Sequence, residues 1–229
     1  MSERYRNTGE ESEEVSGRCL GSVCGMSEKC LGSVCEVFEE YPGAVWGMLV
    51  RDLMPHSIHC ALTFAGPITE LVADLRMHPN VRQEKLLPQA NDDHAQCMCK
   101  FANGANGFIV ASRVAHGKKM GLCYEIHGTK GAIQFDQEDQ NSLYLYRAGK
   151  DFGFQRILAG PGHGSYAMFC EGPGHGTGYQ DQIIIEQVAF YKSILGIQPA
   201  WPSFSDGLAV MKVCEAIRRS HQTQSWTTV

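Results

Sequence analysis

An aspartate and a histidine four residues apart form the first pair of side chains in this sequence that could do chemistry together. On a helix, Asp52 and His56 would share one face, because residues four apart lie on adjacent turns. A carboxylate in that position can orient an imidazole and stabilise its cation, as a general base requires. Pro55 is tolerated only in the first helical turn, which leaves room for Asp52 to precede the helix. The residues alone favour an aspartate that caps the helix N-terminus, with the general base as the alternative.

Further histidines widen the set of candidate site residues. Asp52, His56 and His59 could be interpreted as a metal triad, but we predict no metal site here. Residues 149–178 form a loop with nine glycines, in which Gly-Pro-Gly-His-Gly occurs twice. Loops of this kind often line a pocket. We therefore take three loop residues as candidate contacts for a small molecule, with a solvent-exposed loop as the alternative: His163, His175 and Tyr179.

Residues 1–40 differ in composition from the rest of the chain. They hold nine glutamates and four basic residues, which accounts for the whole net charge of −5. A repeat of Cys-Leu-Gly-Ser-Val-Cys places four cysteines at Cys19, Cys24, Cys30 and Cys35. Four thiolates could bind zinc, but the spacing is unlike that of the common zinc knuckles. We predict a polar, disordered or irregular N-terminal segment over 1–40 and leave the role of its cysteine repeat open.

Composition excludes several classes of function. Hydrophobic residues make up 43% of the chain and charged residues 20%, as in an ordinary soluble domain. No apolar run is long enough to span a membrane, and the first fourteen residues contain no apolar signal core. A net charge of −5 gives no broad basic face, so neither a nucleic acid nor a membrane is an expected partner. The six cysteines after residue 40 are scattered through apolar runs, which predicts free thiols in a cytoplasmic protein.

The pattern after residue 66 predicts short strands joined by tight turns. Alternating apolar and polar residues with Gly or Asn between the runs indicate antiparallel neighbours, because parallel strands need a crossover of a dozen residues or more. Asn103 to Gly107 and Gly128 to Gly131 are the clearest hairpin connections. The predicted strands are Ile68 to Met77, Asp93 to Phe101, Phe108 to His116, Cys123 to His127, Ala132 to Phe135 and Leu143 to Arg147.

Helical spacing predicts helices before and after these strands. An early helix is expected over about Pro55 to Phe64. A second helix carries Ile184, Val188, Tyr191 and Leu195, and a third begins with Ser205-Asp206 as its N-cap. The predicted fold class is therefore α+β, with an open, mainly antiparallel sheet and helices packed on one face. We place this domain at residues 41–229.

The order of these elements and three stretches of sequence resemble the C-terminal half of the glucose-fructose oxidoreductase/inositol dehydrogenase (Gfo/Idh/MocA) family. Asp52-Leu-Met-Pro-His56 is similar to the family's D-x-x-x-H segment. Tyr124-Glu-Ile-His-Gly-Thr-Lys-Gly131 looks like its E-x-x-G-T-x-G hairpin, and the helix from Asp206 to Ser220 looks like its last helix. The resemblance covers roughly residues 44–229. One departure is His59, where the family often has Asp, and this puts local substrate contacts in doubt.

The resemblance implies a function and a catalytic group. Family members transfer a hydride between NAD or NADP and a secondary alcohol carbon of a sugar or cyclitol. The Asp and His of the D-x-x-x-H segment, with a Lys from an N-terminal Rossmann domain, form the catalytic group, which makes Asp52 and His56 the expected catalytic residues here. Members commonly associate through the sheet, so a homo-oligomer is expected.

The sequence contains no convincing dinucleotide-binding motif. Gly162-His-Gly164-Ser-Tyr-Ala167 is the nearest match to G-x-G-x-x-G, but Gly172 follows too soon for a crossover helix. We therefore expect the Rossmann domain to be missing and NAD or NADP not to be bound by this chain alone. Two interpretations follow. The chain is the substrate-binding half of an NAD(P)-dependent sugar or polyol oxidoreductase, or a non-catalytic oligomerisation or ligand-binding module derived from that family.

Overall fold

The computed structural model describes residues 48–78, 92–172 and 174–229. The predicted segment 1–40 and its cysteine repeat lie outside these residues, and so does the predicted domain boundary at residue 41. The described residues form four α-helices: α1 (Met48–Asp52), α2 (Met54–Ala65), α3 (Tyr179–Ile194) and α4 (Phe204–Thr223). The same residues form eight strands: β1 (Ile68–Arg76), β2 (His94–Phe101), β3 (Asn106–Ser112), β4 (Cys123–Gly128), β5 (Gly131–Asp136), β6 (Ser142–Arg147), β7 (Gln155–Leu158) and β8 (Thr227–Thr228).

The strands form two four-stranded sheets, in the orders β3-β2-β1-β8 and β4-β5-β6-β7. We call them sheet 1 and sheet 2. Every pairing between described strands is antiparallel, as the short turns require. The predicted α+β class with a mainly antiparallel sheet is thus confirmed, while the hydrogen bonds divide the strands between two sheets. The division falls at residues 113–122, which join β3 to β4 without a hairpin turn.

The core lies between sheet 1 and two helices, because α4 packs on β1 while α2 packs on α4 and β3. Strand β2 alternates in burial, and its inward side chains are Ala95, Cys97, Cys99 and Phe101. On α4 the buried residues recur at helical spacing: Val210, Val213, Cys214 and Ile217. No helix among the described residues has the length and apolar character that a membrane crossing demands.

The six described cysteines are free thiols, as predicted. Cys97, Cys99, Cys170 and Cys214 are buried, Cys60 is half-buried and Cys123 is exposed. Burial raises the pKa of Cys97 to about 12, so that thiol is neutral at physiological pH. The buried thiols therefore act as small apolar core residues.

Helix α4 begins two residues earlier than its sequence indicates. Its N-cap is Ser203, whose Oγ accepts from the Asp206 backbone N–H at 3.4 Å, while Asp206 Oδ2 accepts from the Ser203 backbone N–H at 2.7 Å. This capping box satisfies amides that the first turn leaves unpaired. The hydrogen bond from the Ser203 hydroxyl is the main reason that the pKa of Asp206 is lowered. Ser205, the predicted cap, lies inside the helix.

The other end of α4 completes the exposed edge of β1. Strand β8 pairs only with Glu70 and Leu71, so the next amides of β1 need other acceptors. Ser220 Oγ accepts from the Ala73 N–H at 2.9 Å and donates to the Ser225 carbonyl at 2.7 Å. His221 Nδ1 accepts from the Leu75 N–H at 3.2 Å. Two side chains of one helix thus replace a longer edge strand.

Replacing Ser220 with alanine should destabilise the fold, because Ser220 is fully buried and its loss leaves the Ala73 amide without its acceptor. We expect a loss of about 1–3 kcal/mol in the free energy of unfolding, measured by urea denaturation followed by circular dichroism. Ser205→Ala, an exposed serine on the same helix, serves as the control and should change stability by less than about 0.5 kcal/mol. Equal effects of the two substitutions would contradict this role of Ser220.

Candidate functional site

Asp52 and His56 lie on the two sides of a short interruption between helices. Asp52 ends α1, and His56 lies in the first turn of α2, which carries Pro55 as expected. Leu53 between the helices keeps helical angles (φ −89°, ψ −41°), and its N–H donates to the Leu49 carbonyl at 3.0 Å. The helical path therefore continues through the interruption, and four-residue spacing brings Asp52 and His56 to the same side.

The structure does not support the alternative in which Asp52 caps α2. The N-cap of α2 is Leu53, and the helix has no side-chain capping hydrogen bond. The side chain of Asp52 is 53% exposed, and His56 is exposed as well. Both groups are thus open to a ligand that approaches from solvent.

An arginine that sequence analysis missed is the partner of Asp52. Arg113, the residue after β3, donates from Nη2 to Asp52 Oδ2 across 61 residues of sequence. Its side chain is 33% exposed, so the ion pair is partly shielded from water. One arginine after a strand carries no sequence signal for this contact, since only the packing of α1 beside β3 brings the two residues together.

The dipeptide Asp92-Asp93, just before β2, ties both members of this ion pair to the sheet. Asp92 Oδ2 accepts from the Val50 N–H at 3.1 Å, and Val50 lies two residues before Asp52 in α1. The Asp93 carbonyl accepts from the Arg113 N–H at 2.9 Å. Adjacent residues therefore fix the end of α1 and the end of β3 relative to each other.

His59 lies one turn beyond His56 but contacts a different part of the chain. Its ring centroid is 5.9 Å from that of Trp201, in the connection between α3 and α4. His59 also contributes electrostatically, after the bonds from Ser203, to the lowered pKa of Asp206. Among the described residues, no three His, Cys, Asp or Glu side chains are grouped closely enough to hold a metal ion.

The candidate residues of the glycine-rich loop do not contact the Asp52–His56 pair. His163 Nδ1 accepts from the Gly160 N–H at 3.0 Å, and His163, His175 and Tyr179 are all exposed. The end of the loop is held by Asn141, whose Oδ1 accepts from the Thr177 N–H at 2.8 Å. No hydrogen bond or ring contact within the described residues joins the three candidates to Asp52 or His56. Their assignment as substrate contacts stays a prediction.

A cavity of about 520 Å³ lies along α2 from Ser57, the residue after His56. It lies between α2, β3 and β4, and its wall includes Ser57, Cys60, Phe64, Phe108, Tyr124 and Ile126. The Tyr124 ring contacts Phe64 and Phe135 at centroid distances of 5.0 and 5.1 Å. Burial raises the pKa of the Tyr124 hydroxyl and of the Cys60 thiol, so both are neutral near pH 7. Apolar walls with a few neutral hydrogen-bonding groups are typical of small-molecule sites.

Among the described residues, the glycine-rich loop does not form a Rossmann-type dinucleotide site. Such a cofactor needs a parallel strand, a glycine-rich turn and a crossover helix. The segment that most resembles the motif, around Gly162 and Gly164, follows β7, which pairs antiparallel with β6. It leads into a 3-10 helix of only five residues, Gly164–Met168. No step of a mechanism can therefore be assigned to a cofactor held by this part of the chain.

Comparisons with known proteins agree with this geometry. Residues 39–134 match the family model of the GFO/IDH/MocA C-terminal domain, a range that includes Asp52, His56 and Arg113. Levoglucosan dehydrogenase from Pseudarthrobacter phenanthrenivorans is 37% identical over 141 residues, which are 60% of this chain and 36% of that protein.

Two solved structures extend the match to most of the chain. An NAD binding oxidoreductase from Klebsiella pneumoniae has a TM-score of 0.73 and 33% identity, over 80% of this chain and 51% of that one. Levoglucosan dehydrogenase in complex with NADH and levoglucosan has a TM-score of 0.75 and 33% identity, over 80% and 50%. The chain thus spans about half the length of these solved relatives. Residues 39–134 thus match the GFO/IDH/MocA C-terminal domain, and the fold over 80% of the chain is similar to that of these oxidoreductases.

Proposed function

We propose that this domain binds a sugar or polyol and supplies the acid–base group for NAD(P)-dependent oxidation of one of its secondary alcohols. The observation that carries the proposal is the placement of Asp52 and His56 on one side of a nearly continuous helix, with the carboxylate fixed by Arg113. The cavity lined from Ser57 onward along α2 offers space for a ring of sugar size.

In the proposed reaction the chain's own residues handle the proton. Oxidation of a secondary alcohol breaks the O–H and C–H bonds and forms a carbonyl. The hydroxyl proton passes to the His56 imidazole, and the carbon's hydrogen leaves with its electron pair as hydride. The nicotinamide that accepts a hydride in enzymes of this kind would be held outside the described residues. The Asp52 carboxylate stabilises the imidazolium that results.

The proposed substrate class comes from the relatives and from the cavity. Solved structures of levoglucosan dehydrogenase include complexes with levoglucosan and with L-sorbose, both of which are carbohydrates. Ser57, Cys60 and Tyr124 offer neutral hydroxyl and thiol groups that can bind sugar hydroxyls, while Phe64 and Ile126 offer apolar surface for C–H groups. The lining also includes Glu125 and His127, which contact each other at 2.8 Å and offer further polar groups to sugar hydroxyls.

Levoglucosan should bind to the full 229-residue chain, and the binding should depend on the Asp52–His56 pair. We expect His56→Ala or Asp52→Asn to weaken it by roughly tenfold, because each removes a hydrogen-bonding group that the sugar would otherwise contact. Saturation-transfer NMR titrations give the dissociation constants.

The matched control for these two variants is Asp139→Asn. It removes an exposed aspartate that pairs with Arg156 at 3.3 Å on sheet 2, away from α2, so its affinity should equal that of the wild type. The proposal fails if the folded wild-type chain does not bind levoglucosan or related polyols, or if the three variants bind alike.

The outer face of sheet 1 favours a second candidate function, a self-associating module. Val72, Met98 and Phe108 lie side by side across β1, β2 and β3. Met98 is 52% exposed, and Phe108 is more exposed still. An apolar row in which Met98 and Phe108 are exposed and Val72 is half-buried is a surface that a second copy could cover. We propose that two copies of the chain pack through this face, whether or not the domain also takes part in catalysis.

Met98→Glu should disrupt this self-association, because it places a charge at the centre of the apolar row. Sedimentation velocity at micromolar concentration should show a larger species for the wild type and a monomer of 25.3 kDa for the variant. Phe152→Glu, at a fully exposed loop position outside the row, should leave the assembly unchanged. A wild-type chain that sediments as a monomer at these concentrations would rule out the interface.

A further inference from the structure

We propose that Arg113 is a positioning residue for Asp52, so that the site requires a third residue from outside the D-x-x-x-H segment. This inference rests on the proposed function, since it assigns Arg113 a role through a carboxylate that faces the sugar. Arg113 lies just after β3, and its guanidinium reaches the end of α1.

The contact engages only one of the two carboxylate oxygens. Arg113 Nη2 binds Oδ2 of Asp52, while Oδ1 makes no hydrogen bond to any described residue. A contact at one oxygen restricts rotation about the last torsion of the side chain, which favours one direction for the other oxygen. We infer that Oδ1 is the oxygen available to a substrate hydroxyl or to the His56 imidazolium.

The guanidinium also limits the attraction between Asp52 and His56. An unpaired aspartate four residues from a histidine would draw the imidazole into a local hydrogen bond, and the sugar would then have to displace it. The arginine offsets that charge and leaves the imidazole open to the substrate hydroxyl. Because Asp52 is about half exposed, solvent screening makes the ion pair a weak contributor to stability. Its effect should therefore appear in ligand binding more than in the stability of the fold.

The backbone around the pair is built to hold this geometry. Helix α1 has only five residues, too few to be stable without tertiary contacts. The buried Asp92 carboxylate binds the Val50 amide of that helix, and the carbonyl of the next residue, Asp93, binds the Arg113 amide. The backbone that carries each partner of the ion pair is thus hydrogen-bonded to one of the two residues just before β2. These bonds hold the two partners close to each other.

A double-mutant cycle on levoglucosan binding by the full chain tests the proposal. We expect Arg113→Gln to weaken binding roughly fivefold in the wild-type background and to have no further effect in the Asp52→Asn background. Arg113→Lys should bind within about twofold of the wild type, because a single contact to Oδ2 needs a cation rather than the planar fork. Arg156→Gln, which breaks the exposed ion pair on sheet 2, is the control and should leave affinity unchanged. Thermal melts followed by circular dichroism establish that each variant is folded.

Each outcome of the cycle has a defined meaning. Equal losses from Arg113→Gln in both backgrounds would show that Arg113 contacts the sugar itself, and wild-type affinity in Arg113→Gln would show that it does nothing for the site. Either result overturns the positioning role while leaving the proposed function in place. If Arg113→Gln does not fold, Arg113→Lys decides, since binding as weak as that of Asp52→Asn overturns the proposal. No binding by the folded wild type overturns the proposed function and this inference together.

Discussion

The start of β2 is the constraint on which the candidate site depends. The Asp92 side chain holds the Val50 amide of α1, and the Asp93 backbone carbonyl holds the amide of Arg113 after β3. Buried hydrogen bonds of this kind are costly to break, because the groups would be left unpaired away from water. Through them the packed sheet fixes the backbone at the end of α1 and after β3, so the exposed ion pair of Asp52 and Arg113 has only to orient the carboxylate.

The domain combines a packed core, formed by sheet 1 with α2 and α4, with an exposed side of α2 that carries His56. Helices α2 and α4 cover one face of sheet 1 and bury its inward residues, while the C-terminal end of α4 completes the β1 edge through Ser220 and His221. On α2, one side packs into this core through Met54 and Ile58, and His56 points away from it. A histidine on a helix with a buried side keeps its position while remaining accessible, which the proposed acid–base role requires. The neutral tyrosine and thiol of the adjoining cavity suit hydrogen bonding to sugar hydroxyls rather than nucleophilic attack.

Local sequence signals predicted most of the fold and only part of the site. Alternation and tight turns located six strands correctly, because those signals depend on neighbouring residues alone. Strand β7 was missed since Gln155–Leu158 is short and mostly exposed, and β8 was missed since two residues carry no period. The D-x-x-x-H spacing located Asp52 and His56. Arg113 and the cavity depend on contacts between segments far apart in sequence, as does the division into two sheets, and no local pattern encodes them.

The central claim is that His56 belongs to a carbohydrate site on this chain. The chain has nine histidines, whose ring signals can be followed in two-dimensional ¹H–¹³C NMR. The signals of His56 are identified as those that are missing from the spectrum of the His56→Ala variant. Levoglucosan added to the full chain should move the His56 signals saturably, while the signals of His221, which is hydrogen-bonded at the β1 edge, stay unchanged and NADH alone moves neither. His56 signals that do not change while levoglucosan binds elsewhere on the chain, or that shift with NADH alone, would contradict the account.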